Sequence, residues 1–122
     1  MCFSATASFA VAAGTGAAGV FAVSSVTKWR ELPLASIPLV FAVQQAIEGG
    51  IWLELARPES DNWTALLASV FAFIALVIWP LFSPIAAGLQ EREMPRRLSM
   101  AALALLSLPV AYFGFSDVTA HP

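Results

Sequence analysis

Four apolar stretches, at about 4–26, 34–55, 63–87 and 98–115, dominate this 122-residue chain. Each is close to the roughly 20 residues that a helix needs to cross a hydrocarbon core about 30 Å thick. In lipid a lone segment of that kind must satisfy its backbone N–H and C=O groups internally, which only a helix does. The expected fold class is therefore all-α: one domain over 1–122, an integral membrane bundle of four transmembrane helices. Composition agrees, because only 11% of the residues are charged while 59% are hydrophobic. A soluble domain carries about 25% charge.

Breakers and charges bound the stretches. Lys28, Arg30 and Glu31 close the first, with Pro33 at the entry to the second; Arg57-Pro58-Glu59 closes the second; Asp61-Asn62 offers an N-cap to the third; Glu91 to Arg97 separates the third from the fourth. Such short connections make consecutive helices antiparallel neighbours. Lys28, Arg30, Arg92, Arg96 and Arg97 fall in the first and third loops, against Arg57 alone in the second. The positive-inside rule then places loops one and three in the cytoplasm, with both termini and loop two outside. The N-terminus lacks the basic region and cleavage site of a signal peptide, so the first stretch is expected to stay as an anchor. Pro80 and Pro84 should distort the cytoplasmic end of the third helix.

Several function classes drop out. A net charge of −2 with no basic surface leaves nothing to hold nucleic acid. A single cysteine, Cys2, and a single histidine, His121, make neither an intramolecular disulfide nor a zinc site unaided. No Ser-His-Asp set, phosphate loop or haem-attachment motif is present, and no catalytic residue or metal ligand is assigned. The sequence names no cofactor. Trp29, Trp52 and Trp63 lie near helix ends, where interfacial belts place tryptophan, while Trp79 lies deeper and reads as core packing.

One stretch is costly in lipid: Gln44-Gln45-Ala46-Ile47-Glu48-Gly49-Gly50-Ile51-Trp52. Ionisable groups within a membrane segment are rare and face a protein interior or a water-filled cavity. On a helix, Gln44, Gln45, Glu48 and Trp52 recur at spacings of three and four and share a face, extended by Phe41 and Leu55. A protonated carboxyl there donates one hydrogen bond and accepts others. Gly49 and Gly50 remove bulk beside it, so a neighbouring helix, a water or a ligand can reach the backbone. Counting 1.5 Å per residue from Leu55 sets Glu48 roughly 10 Å below the outer boundary. The chain descends from the same side, which places Ser4, Thr6 and Ser8 between the outer boundary and roughly the depth of Glu48, Ser4 and Ser8 on one face. Tyr112 of the fourth helix lies near the same level. Either a polar clamp between helices or a pocket for a small ligand, cation or proton would use these groups.

Between Ser4 and Ser25 the first helix is almost entirely Ala, Gly, Ser and Thr. Ala12 with Gly16 and Thr15 with Gly19 recur at spacing four, with Gly14 among them, and small residues so spaced let helix backbones approach closely in lipid. This is a packing helix, serving either the chain's own bundle or another subunit.

The opening Met1-Cys2-Phe3-Ser4-Ala5-Thr6-Ala7-Ser8-Phe9, with Gln44-Gln45, Glu48-Gly49 and Trp52 and the later Trp79-Pro80 and Pro84, resembles a family of uncharacterised bacterial multi-pass membrane proteins, a domain of unknown function. The resemblance spans helices one to three. It implies a multi-pass fold in a bacterial cytoplasmic membrane and a pairing of the serine-rich start with Glu48, and it assigns no activity. Family members resemble longer chains with further helices, which implies a short or truncated member here. Two functional readings follow. The first is a non-enzymatic accessory subunit whose partners are the lipid bilayer and other membrane-protein subunits. The second is a binding or transport protein using Glu48; an enzyme ranks third.

Overall fold

The computed structural model describes residues 4–57 and 62–120, with side chains described over 4–57 and 63–116. Cys2, Asp61 and His121 lie outside the described residues, as does the Pro58-Glu59 part of the second boundary. The elements are α1 (Ala5–Ser24), a 3-10 turn (Trp29–Glu31), α2 (Leu32–Ala35), α3 (Ile37–Leu55), α4 (Asn62–Phe73), a π turn (Ile74–Ile78), α5 (Trp79–Gln90) and α6 (Met94–Ala120). No strand occurs among the described residues. Together they make four helical spans long and apolar enough to cross a membrane: Ala5–Ser24, Trp29–Leu55, Trp63–Gln90 and Met94–Ser116.

The ends of these spans differ from the expected ones for local reasons. The second span begins at Trp29 rather than near 34 and is assembled from three pieces. Pro33 stands at the start of α2, and Pro38 at the start of α3, where a missing N–H costs nothing. Between them Ser36 turns the chain, its Oγ donating to Pro33 O at 2.8 Å. The fourth span takes in Arg96 and Arg97, because arginine is a good helix former and a helix does not stop where the apolar residues do.

α1 packs on α3, α3 on α4, and α5 with the π turn on α6, so the spans stand side by side in chain order with α1 and α6 at the flanks. Glycines set how closely they meet. At Gly19 a Cβ would lie 2.7 Å from Leu39 Cγ, at Gly16 3.6 Å from Ala42 Cβ, and at Gly49 2.8 Å from the Phe9 ring. Those three pairs run in opposite senses along the two helices and define an antiparallel register. Gly50 against Leu67 and Gly88 against Met100 tie the other neighbours in the same manner.

The expected disturbance at Pro80 takes the form of the π turn before it. Trp79 N–H donates back to Ile74 O, five residues away, and Pro80 has no N–H to give Leu76 O. α6 closes on that carbonyl at Gly114, where a Cβ would stand 2.6 Å from Leu76 Cβ and 3.3 Å from Leu76 O. Only glycine's missing side chain allows this approach.

The first and third loops share one end of the molecule. Gln90 Nε2 donates to Arg30 O at 2.8 Å, and Glu31 Oε2 accepts from the backbone N–H groups of Thr27 and Lys28 at 3.4 Å each. Among the described residues Ala86 and Ala111 are the buried apolar side chains, whereas Leu105, Leu106 and Phe113 stand on the surface. That inversion of a soluble protein suits a chain whose solvent is lipid.

Candidate functional site

α3 carries its polar groups in two adjoining stripes. Gln44 and Gln45 are buried, at 7% and 6% exposure, and successive helical residues point about 100° apart. Each amide therefore faces a different neighbour. Gln44 Oε1 accepts from the indole N–H of Trp79 at the head of α5, and Phe41, one turn earlier, meets the same indole edge-on with ring centroids 6.5 Å apart. Gln45 Nε2 donates to Glu48 Oε2 at 3.0 Å along α3 itself.

The stripe of Ala42, Gln45 and Gly49 is turned to α1. Gly49 is buried beneath the Phe9 ring, and the α1–α3 register sets Ser8 level with Gly50 and Ala12 level with Ala46, beside Gln45. Ser8 is completely buried, and its Oγ has no hydrogen-bond partner among the described residues. A buried hydroxyl without a partner costs on the order of 1–3 kcal/mol. Serine here stands where alanine would fill the same space without that cost.

Other sequence-selected residues go elsewhere. Ser4 is the exposed N-cap of α1, its Oγ accepting from Ala7 N at 3.2 Å. Trp52 is 39% exposed, and Tyr112, 68% exposed, lies on α6 against Phe113 rather than beside α1. Gly50 meets Leu67 Cδ1 at 3.3 Å from a would-be Cβ, while Gly14 is exposed with no described atom within 4 Å of that position. Thr15 bonds its Oγ1 to Val11 O at 2.7 Å, which hides a hydroxyl within its own helix.

Trp79 is the site member that the sequence reading assigned to packing alone. Its signal was available: a tryptophan far from either helix end must find an acceptor for its N–H, and Gln44 is the amide at comparable depth on the neighbouring span. Phe9, which caps Gly49, gave no such signal because it is apolar. At the C-terminal end of α3, Arg57 pairs with Glu54 at 2.9 Å, and Glu54 Oε2 and Thr64 Oγ1 are buried without partners among the described residues. The described residues contain no group of three or more His, Cys, Asp or Glu that could hold a metal.

Four membrane-length helices and a polar cluster of amides, a carboxyl, an indole and a buried hydroxyl define a small polytopic helical membrane protein. The chain belongs to a family of unknown function, DUF6629, whose family model matches residues 1–120. No curated protein and no solved structure matches it.

Proposed function

We propose that the protein is a non-enzymatic accessory subunit of a larger membrane complex, docking through the outward face of α1. The observation that carries this reading is that α1 has two small-residue stripes. The inner one, Ser8, Ala12, Gly16 and Gly19, is spent on α3. The outer one, Ala10, Gly14 and Ala18 at spacing four, is exposed. Small residues at that spacing serve close helix–helix approach, whereas against lipid tails they offer less contact than larger side chains would.

The cluster on α3 serves this reading as an internal clamp. Phe9 fills the space beside Gly49 and Leu67 approaches Gly50, so both gaps opened by the missing side chains are used by neighbouring helices. The test is native mass spectrometry of the tagged chain released from mild detergent. A partner chain should co-purify with the wild type and with Glu48→Gln, and should be lost with Gly14→Leu, which places bulk on open surface. A chain that travels alone in all three preparations would sink the proposal.

The orphan hydroxyl of Ser8 favours a second reading, in which Gln44, Gln45, Glu48 and Ser8, with Ser4 and Trp52 toward the outer end, hold a small ligand, cation or proton. Under it, Glu48→Gln abolishes ligand binding while leaving membrane expression intact.

A further inference from the structure

An open apolar groove of about 470 Å³ runs between α5 and α6, walled by Leu81 and Gly88 on one side and by Ala101, Ala104 and Leu108 on the other, with Arg97 at one end. Its depth comes from the small residues, since Gly88 lets α5 approach Met100 and the two alanines leave the wall of α6 recessed. From Arg97 to Leu108 it follows α6 for roughly 16 Å at 1.5 Å per residue. That is close to half of a hydrocarbon core about 30 Å thick, the reach of one leaflet.

The charged end is specific. Arg96 pairs with Glu93 at 3.3 Å, whereas Arg97 is exposed and forms no ion pair among the described residues. Arg97 also stands in the first turn of α6, where the helix dipole is already positive and an anion, not a second cation, is stabilising. A groove one leaflet deep, apolar throughout and ending in an unpaired guanidinium at a helix N-terminus, matches a single kind of molecule in its surroundings. We infer that it holds one acyl chain of an anionic phospholipid from the leaflet at the basic end of the protein, with the lipid phosphate on Arg97. The inference is independent of the role of Glu48 and of the α1 face.

The experiment uses the full chain in mild detergent with equimolar phosphatidylglycerol and phosphatidylcholine of the same chain length, read by native mass spectrometry. Wild-type protein should retain the anionic lipid over the zwitterionic one by about fivefold, the preference that one cation near a phosphate gives. Arg97→Gln should bring the ratio close to one. Arg92→Gln, the same charge change outside the groove, should leave it in place. Ala104→Phe and, separately, Ala101→Phe should displace the lipid by filling the groove, with helical circular dichroism matching the wild type. Equal retention of the two lipids by the wild type would overturn the assignment, as would an equal effect of Arg92→Gln and Arg97→Gln. A dimer mass abolished by Ala104→Phe would give the groove to a second copy instead.

Discussion

Glycine in a membrane helix can mean close packing, open surface or nothing, and the three cases separate here atom by atom. At Gly19 an added Cβ meets Leu39 at its side chain and also at its backbone nitrogen, 2.8 Å away, so α1 and α3 would have to separate. At Gly49 it meets the far edge of the Phe9 ring, and Phe9 is 40% exposed and free to swing outward. At Gly14 it meets no described atom. Gly19→Ala should therefore cost about 1–3 kcal/mol, Gly49→Ala less, and Gly14→Ala should stay within about 1 kcal/mol on the stabilising side. Unfolding in mixed micelles titrated with SDS and followed by circular dichroism would rank them. A Gly19→Ala protein as stable as the wild type would mean that α1 is not seated on α3 as described.

Between elements, a side-chain hydrogen bond joins α3 to α5, the indole N–H of Trp79 donating to Gln44. The π turn immediately before Trp79 matters because a π turn rotates the helix beyond it, and so decides where the indole points. Trp79→Phe leaves the Gln44 oxygen buried without its donor, and Gln44→Leu removes both the amide and the need for one. The double-mutant cycle should return a coupling on the order of 1 kcal/mol, the range found for interhelical hydrogen bonds in membranes. A coupling near zero would show that Trp79 contributes packing only. The glutamine pair also shows how a sequence pattern is divided. Gln44, Gln45, Glu48 and Trp52 read as one face, yet in the structure Gln44 turns to α5, Gln45 bonds Glu48, and Trp52 is left at the surface, because α3 lies between two neighbouring spans and its polar turn is shared out between them.

For the molecule as a whole, five of the six basic residues lie in or beside the two connections that meet at the Gln90–Arg30 bond, Arg30 in the 3-10 turn and Arg96 and Arg97 in the first turn of α6. The expected orientation sets this end in the cytoplasm. Single cysteines placed at Thr27 and Glu93 in a Cys2→Ser background should react with a membrane-impermeant maleimide from the cytoplasmic side, and one at Arg57 from the opposite side. Labelling of Thr27→Cys and Glu93→Cys from opposite sides would contradict the antiparallel order of the spans.

Number, approximate length and neighbour order of the helices were legible in the chain, since hydrocarbon thickness and short connections leave few alternatives. The polarity of Gln44, Gln45, Glu48, Ser4 and Ser8 within apolar stretches was visible there too, because it is conspicuous in lipid before any fold is known. Which neighbour each of them faces depended on the packing. The α1–α3 register set by Gly16, Gly19 and Gly49, the π turn that aims Trp79 and the approach of α6 at Gly114 all arise from contacts between residues far apart in the chain. Apolar length and the placing of charges were enough to specify four spans and a polar stretch among them. Tertiary packing then divided the stretch between two neighbours, sealed Ser8 without a partner among the described residues, and spent one small-residue stripe of α1 while leaving the other open. A helix's own periodicity selects its faces, but the surrounding helices select what each face meets.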